Sequence, residues 1–511
     1  MRLAEIPLEA VQEYAVKERV CIRPLLRRVI DRETGEAVLV ALPCQSTRES
    51  RCPSCAARAR TLRMHQCIAG WHLEEEPNIV TREKEPPAEQ DPSAEEDRSE
   101  NDGEARQGRS TRRRSDVAEL PRRPQEDRTI GQVFRAPDGR SYRPSMFITL
   151  TLPGYGRIVP GAGIPQDWRE YDYHRAALDA LHFPRLLDRW FQNLRRCAGY
   201  KVQYFGAVEG QRRLAPHFHV AIRGAVPRAV IKEVTRATYH QIWWPQMSHA
   251  VYVDELPVWD GMDYLDPTTG EPLQTWAGAL AQLDLDEDAQ PAHVIRFGRQ
   301  IDVQGLLAGT PDADRSVRYL TKYLTKAVGE TYVDQAHDAA YEAHIDRLHD
   351  EVRWLPCSPS CANWLRFGVQ PKEAGPGLVP GWCFSKAHDR EHLGVGGRRV
   401  LVSRGWSGKT LANHKADRAA VVREALEAAG IEVESAGRMA AEVEASDGEG
   451  RFVWAAVVSH GGTSAEVLMQ TVLERRRWRE QYEYAKSRAG ADPPVDSRSA
   501  TARTPGMRAA G

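Results

Sequence analysis

The chain has 511 residues, 41% of them hydrophobic and 28% charged, which is enough for two to four domains with their own cores. Its 70 Lys and Arg residues against 71 Asp and Glu residues give a formal charge of -1, which neither favours nor excludes a nucleic-acid partner. No apolar run approaches the roughly 20 residues of a membrane span, and the first thirty residues lack the apolar core of a signal peptide. The composition therefore predicts a globular, cytoplasmic protein with no membrane partner.

Residues 1–73 form a segment rich in cysteine. Cys52 and Cys55 are a two-residue-spaced pair of the kind that binds zinc, and Cys44 and Cys21 complete a set of four. Cys67 is a rival ligand. Reduced thiols in a core are the alternative, because a disulfide framework is not expected in a cytosolic chain. We predict a small zinc-ribbon-like module that binds Zn²⁺.

Residues 74–131 have the composition of a disordered linker. An acidic block runs into a basic one, and large apolar residues are scarce. Such a stretch buries too little apolar surface to offset the entropy lost on ordering.

Residues 132–330 predict an α+β domain with a mainly antiparallel sheet and helices on one face. The strand MFITLTLPGYG precedes an amphipathic helix that is expected to have Pro184 in its first turn. The strands KVQYFGAVEG and PHFHVAIRG then form a hairpin, followed by a second helix. After an insertion over about 245–290, a further strand leads into the helix SVRYLTKYLTKAV.

Beyond residue 330 the pattern is less regular. Residues 331–430 predict a C-terminal α/β extension with a basic strand, 431–490 a small helical region and 491–511 a disordered tail. The extension also holds a second set of candidate zinc ligands, with an irregular three-residue spacing between its first two cysteines. This set is Cys357, Cys361, Cys383 and His388.

His217 and His219 lie two residues apart on a predicted strand, so their side chains share one face of the sheet. Glu209 ends the preceding strand, across the hairpin, and can bring an oxygen ligand beside the two nitrogens. Two imidazoles and a carboxylate with open positions suit Mg²⁺ or Mn²⁺ acting on a phosphate. The alternatives are two structural histidines and a solvated glutamate.

The tetrad Tyr-Leu-Thr-Lys occurs twice in succession. Tyr319 and Tyr323 therefore share a face of the predicted helix, and Lys322 and Lys326 form an adjacent pair. Paired phenols beside paired amines suit phosphate chemistry, because a phenol with a pKa of about 10 needs a nearby cation to become a good nucleophile. The alternative is a pair of core tyrosines with solvated lysines.

Taken in order, FITLTLPGYG, PHFHVAIRG and YLTKYLTK resemble the three motifs of rolling-circle replication initiators of the HUH endonuclease superfamily. The surrounding sequence, including PCQSTRESRCPSCAARAR and GGRRVLVSRGWSGKTL, is similar to the replication initiators of actinobacterial plasmids and integrative conjugative elements. The resemblance covers most of residues 15–425, apart from the linker.

The resemblance implies a metal-dependent, site-specific DNA nicking enzyme that starts rolling-circle replication. It implies that His217 and His219 bind the metal, with Glu209 as the third ligand. It also implies that Tyr323 is the nucleophile. Related initiators with a single tyrosine carry a glutamate at the position of Tyr319, so the second acting residue stays open. The implied partners are single-stranded nick-site DNA, the double-stranded origin, a host helicase and a polymerase.

Two other functions stay open. A conjugative relaxase or an HUH transposase would share the chemistry, although relaxases usually show a tyrosine near the N-terminus and three histidines, neither of which is seen here. A non-catalytic, zinc-containing DNA-binding regulator belongs to a different class. Its Tyr323→Phe variant would bind and act normally.

Overall fold

The computed structural model describes most of the chain, including the regions of the predicted metal ligands. The described residues are 7–71, 73, 75–77, 114–131, 133–135, 137, 141–307, 310–322, 339–397, 399–428, 445–447, 449–457 and 461–488. The tail predicted over 491–511 and much of the linker predicted over 74–131 lie outside them.

The described elements are mixed α and β. The helices are α1 (Leu8–Lys17), α2 (Pro53–Trp71), α3 (Tyr173–Ala198), α4 (Arg228–Ala237), α5 (Trp276–Leu285), α6 (Pro311–Lys322), α7 (Ala339–Trp354), α8 (Leu411–Ala428) and α9 (Gly461–Arg488). The strands are β1 (Leu25–Asp31), β2 (Ala37–Leu42), β3 (Phe134–Arg135), β4 (Ser141–Tyr142), β5 (Pro144–Thr151), β6 (Tyr204–Gly210), β7 (Pro216–Arg223), β8 (Tyr239–Ile242), β9 (Val258–Trp259), β10 (Tyr264–Leu265), β11 (Gln274–Thr275), β12 (His293–Arg296), β13 (Ile301–Leu307), β14 (Val369–Gln370), β15 (Val400–Val402) and β16 (Phe452–Ala456). Of the helices described, none is both long and apolar enough to cross a membrane.

One compact unit covers Gly70–Gly408 and is built on a five-stranded sheet in the order β13-β5-β7-β6-β15. Every neighbouring pair in this sheet is antiparallel, and β6 and β7 form the hairpin predicted from the sequence. The edge strand β15 pairs with β6, so the basic strand expected in a separate C-terminal extension belongs to the same sheet. The α+β class with a mainly antiparallel sheet is confirmed.

Residues alternate in orientation along each strand, so the apolar residues at alternate positions collect on one face of this sheet. Ile148 and Leu150 on β5 and Phe218 and Val220 on β7 are completely buried in a core shared with α3. The opposite face carries the polar residues of the strands, and α6 contacts β13, β6 and β7. The sequence predicted helices on one face. The structure differs because α6 packs over the polar face rather than against the apolar core.

The long helix α3 begins earlier than expected. The Asp172 side chain accepts a hydrogen bond from the backbone N–H of Arg175 at its start, and Gly199 ends it with φ 73°. Pro184 therefore lies inside the helix rather than in its first turn. Apolar residues on both sides of Pro184 are buried in the core, and this burial offsets the backbone hydrogen bond that proline removes.

The described part of the predicted linker belongs to the same compact unit and forms polar contacts within itself and with β12. The Glu76 carboxylate accepts hydrogen bonds from the backbone N–H groups of Thr129 (2.8 Å) and Ile130 (2.9 Å). Asp116 forms an ion pair of 2.7 Å with Arg296 on β12. Polar contacts of this kind hold a stretch that has few apolar side chains of its own.

A second compact unit combines Met1–Ala69 with Lys409–Gly511. Its sheet has the order β16-β1-β2, with antiparallel pairing on both sides of β1. Buried residues of α1 pack against Leu468 and Val472 of α9. The two chain ends, treated as separate modules in the sequence analysis, thus share one core, because the β1-β2 hairpin and α9 each need a partner for their apolar side.

Candidate functional site

The strand register brings three predicted metal ligands together on the polar face of the five-stranded sheet. Glu209 on β6 lies directly opposite His217 on β7, and His219 lies two residues further along β7. On the other side of β7, Thr149 of β5 is opposite His219. Because alternate residues of a strand face the same side, the two histidines converge with Glu209 and Thr149.

The ligand atoms of this cluster are close and shielded from water. The Nε2 atoms of His217 and His219 lie 2.5 Å apart, and Oε2 of Glu209 is 3.3 and 3.1 Å from them, respectively. His217, His219 and Glu209 are 8%, 5% and 2% exposed. Two nitrogens and one carboxylate oxygen that point at a common centre form a donor set that could hold a metal ion.

Thr149 orients one of the two histidines. Its Oγ1 lies 2.9 Å from Nδ1 of His219, which leaves Nε2 of that ring directed at the cluster. The buried Nδ1 of His217 has no hydrogen-bond partner among the described residues. A hydrogen bond to the remote ring nitrogen of a ligating histidine fixes its tautomer and strengthens it as a ligand.

The charge state of the cluster also suits a cation. Burial alone would raise the pKa of Glu209, but hydrogen bonds from His217 and His219 lower it to about 2. Burial lowers the pKa of His219, and the bond to Glu209 opposes this only in part. A carboxylate beside a neutral imidazole is the protonation state in which these side chains bind metals.

A tyrosine of α6 lies beside the cluster. The hydroxyl oxygen of Tyr319 is 3.3 Å from Nε2 of His219, and its ring packs edge-on against Phe147 with the centroids 6.1 Å apart. Phe147 in turn stacks on the His219 ring. Tyr319 is nevertheless 40% exposed, so its phenol borders both the buried ligands and solvent.

The other tyrosine motif residues are only partly described. Lys322 is the last residue of α6, and its side chain lies outside the described part of the chain. Tyr323 and Lys326 also lie outside the described residues. The roles predicted for these three residues therefore stay predictions. Phe147 is the contact that the sequence analysis missed, although its place on the same strand face as Thr149 was a usable signal.

Four cysteines converge at the start of α2 in the other compact unit. The Sγ atoms of Cys21, Cys44, Cys52 and Cys55 all lie within 4.8 Å of one another. Cys52 directly precedes Pro53, the first residue of α2, which is a position that proline favours. Burial alone would raise the pKa of Cys52, but hydrogen bonds from backbone N–H groups lower it. Four sulfur donors at a helix N-terminus fit a tetrahedral zinc site.

Cys67, the rival ligand, is not part of this cluster. It lies on α2, twelve residues after Cys55, which is about 18 Å along the helix axis. Burial raises the pKa of its thiol well above the ordinary value. Cys67 is thus a buried, neutral thiol further along the same helix.

The second predicted zinc set also comes together, within Gly70–Gly408. The ligand atoms of Cys357, Cys361, Cys383 and His388 lie within 4.8 Å of one another. Nε2 of His388 is 3.6 Å from Sγ of Cys361, while its Nδ1 donates a hydrogen bond of 2.8 Å to the Val352 carbonyl oxygen. This bond aims Nε2 at the three sulfurs, so the irregular spacing does not prevent a four-donor site.

The family of the chain follows from its similarity to a family model. The model described as "RepSA: Replication initiator protein, pSAM2" matches residues 7–473. The chain belongs to this family. Among curated proteins and among solved structures, nothing matches the chain.

The replication initiator match contains all three candidate metal clusters. The range 7–473 includes the four N-terminal cysteines, the cluster of Glu209, His217 and His219, and the set that ends at His388. Tyr319 and Tyr323 also lie within it. The residues that carry the resemblance to rolling-circle motifs therefore lie within the matched range.

Proposed function

We propose that this replication initiator is a metal-dependent, site-specific DNA nicking enzyme of the HUH type that starts rolling-circle replication of a plasmid or mobile element. The main observation in support of this proposal is that Glu209, His217 and His219 converge, with the Tyr319 hydroxyl beside them. Metal ligands next to a solvent-accessible phenol are what transfer of a phosphodiester to tyrosine requires.

Each residue has a separate task in this proposal. Glu209, His217 and His219 would hold Mg²⁺ or Mn²⁺, which would supply positive charge to a non-bridging phosphate oxygen. Thr149 keeps the His219 ring in place through the 2.9 Å contact with Nδ1. The exposed part of Tyr319 leaves room for a DNA strand to approach from solvent.

The covalent step exchanges one ester bond for another. The phenolic oxygen of Tyr323 attacks the phosphorus atom, the bond from phosphorus to the 3′ oxygen breaks, and a 5′-phosphotyrosine forms. The proton lost by the phenol balances the one gained by the free 3′-hydroxyl. Lys322 and Lys326 would stabilise the phenolate. Tyr319 would then attack the regenerated junction and release a circle.

The remaining partners follow from the same proposal. The free 3′-hydroxyl would be extended by a host polymerase, with a host helicase opening the duplex. The four N-terminal cysteines would bind Zn²⁺ and order a segment that docks on the double-stranded origin. The second cysteine set would hold another Zn²⁺.

The test is incubation with labelled single-stranded element DNA and Mn²⁺, followed by denaturing electrophoresis for a covalent adduct. Tyr323→Phe should abolish the adduct and keep DNA binding, because only the attacking oxygen is lost. Tyr319→Phe should keep the first nick and impair the second transfer. Tyr484→Phe, an exposed tyrosine of the other compact unit, is the matched control and should behave as wild type.

Each outcome separates the proposal from its rivals. An adduct that survives Tyr323→Phe but disappears in Tyr319→Phe would reverse the two tyrosine roles. Equal loss of both steps in Tyr319→Phe would indicate a structural role for this residue. Specific DNA binding with no adduct in wild type would favour a non-catalytic regulator.

A further inference from the structure

A groove of about 630 Å³ lies between α5 and the segment that follows β14. We call it the α5 groove. Trp276 and Leu280 line its apolar part and are 5% and 8% exposed. The small, exposed side chains of Ala277 and Ala281 leave it open, and Met262, which is 81% exposed, also lines it. A cavity of this size with an apolar lining is typical of a binding site.

The polar side chains around this groove are mainly acidic. The insertion over 245–290 contains ten Asp or Glu and no Lys or Arg. Its Asp263 and Asp284 line the groove together with Glu373, against a single basic residue, Lys372. Glu373 and eight of the ten acidic residues of the insertion form no ion pair with a described residue. Such a surface repels the phosphates of DNA and attracts a cationic ligand.

The same chain contains a segment of the opposite charge. Residues 106–114, with the sequence RQGRSTRRR, hold five Arg and no Asp or Glu. Residues 106–113 lie outside the described part of the chain, and we call them the basic block. Arginine suits the α5 groove because its apolar stem can lie along an apolar surface while its guanidinium group meets a carboxylate at the rim.

The basic block ends at a fixed point near the groove. The backbone N–H of Arg114 donates a hydrogen bond of 3.0 Å to the hydroxyl of Tyr239, the first residue of β8. Five residues further on, at most about 18 Å along the chain, the Trp244 ring lies edge-on to Trp276 with the centroids 6.3 Å apart. The eight residues of the basic block span at most about 28 Å when extended, so the groove lies within their reach.

We propose that the basic block 106–113 binds in the α5 groove of its own chain when DNA is absent. The anchor at Tyr239 favours this occupant over a separate basic protein, because a tethered segment binds at a high effective concentration. DNA phosphates compete with the groove carboxylates for the same four arginines, so the contact limits binding to DNA of unrelated sequence. This inference goes beyond the nicking function and does not depend on it.

Limited digestion of the full chain with trypsin, with the cleavage sites mapped by mass spectrometry, tests this contact. Cleavage within the basic block should be slower than in a synthetic peptide of residues 105–117, and high salt should remove the difference. Glu373→Lys reverses a charge in the groove and Ala281→Trp fills its space, and each should speed this cleavage on the order of 10-fold. Glu233→Lys changes an exposed glutamate of α4 in the same compact unit and should have no effect.

Fluorescence anisotropy with a labelled duplex of unrelated sequence gives a second measurement. Ala281→Trp changes no charge, yet it should tighten binding several-fold and steepen the salt dependence, because the arginines of the basic block become available to phosphates. Circular dichroism and melting should show that Ala281→Trp and Glu373→Lys are folded, since both substitutions change exposed side chains.

Three results would overturn the contact. The first is cleavage of the basic block in wild type as fast as in the free peptide. The second is unchanged cleavage in both folded groove variants. The third is protection that rises with protein concentration, which would place the block of one copy in the groove of another. None of these results bears on nicking, because the presence or absence of a covalent DNA adduct is measured independently.

Discussion

The His and Glu cluster on β6 and β7 and the four-cysteine cluster at the start of α2 use different donors. The first has two nitrogens and one carboxylate oxygen, with the Tyr319 hydroxyl beside them. The second has four sulfur atoms, which complete a tetrahedral shell by themselves. A three-donor set leaves positions for a phosphate oxygen, whereas a four-sulfur set suits a structural ion. We therefore expect phosphate chemistry at the His and Glu cluster and structural support at the four-cysteine cluster.

Loss of one ligand from the His and Glu cluster should have the largest effect. His219→Ala, His217→Ala and Glu209→Ala should each lower nicking by at least about 100-fold, because a metal ligand is lost. Initial rates with a labelled oligonucleotide and Mn²⁺ measure this. His249→Ala changes an exposed histidine of the same unit and serves as the control. Cleavage that survives a chelator would contradict the metal requirement.

Loss of two N-terminal cysteines should separate structure from catalysis. Cys52→Ser with Cys55→Ser should lower the zinc content and unfold the N-terminal segment, while nicking of single-stranded DNA persists. Binding to the double-stranded origin should weaken. Metal analysis and limited proteolysis measure the first two effects. The control variant Cys67→Ser should keep the zinc content of wild type, since Cys67 lies outside the cluster. A Cys52 and Cys55 double variant with full zinc content would refute the site.

A smaller effect is expected from the residue that orients His219. Thr149→Val removes the hydroxyl 2.9 Å from Nδ1 and should raise the Mn²⁺ concentration needed for half-maximal nicking by about 10-fold. Thr149→Ser restores a hydroxyl and should recover most of the loss. A lower maximal rate with unchanged metal dependence would show that Thr149 acts by another route.

The smallest effect concerns the ion pair between Asp31 of β1 and Arg451, the residue before β16. A hydrogen bond from Arg451, 2.7 Å away, lowers the pKa of Asp31 to about 2. Because the folded pKa lies below the ordinary one, the pair stabilises the protein above about pH 4, and this contribution is lost as pH falls towards 2. The melting temperature of Asp31→Asn should therefore approach that of wild type on acidification. A gap that stays constant with pH would contradict this.

Much of the His and Glu cluster was predictable because its contacts are local. His217 and His219 are two residues apart, and Glu209 lies across a hairpin, so the period of a strand is enough to place them on one face. The pair Cys52 and Cys55 lies on one turn at a helix start for a similar reason. The mixed α+β class followed from the order of the predicted elements.

Contacts between distant parts of the chain needed the tertiary structure. Nothing in the local pattern shows that β15 extends the five-stranded sheet beside β6, or that β16 joins β1 across more than four hundred residues. The placement of the Tyr319 hydroxyl at His219 also depends on where α6 packs. Sequence alone determined which side chains share a strand face or helix turn, because backbone geometry repeats over a few residues. The tertiary structure decided which faces meet, because that depends on burial summed over the whole unit.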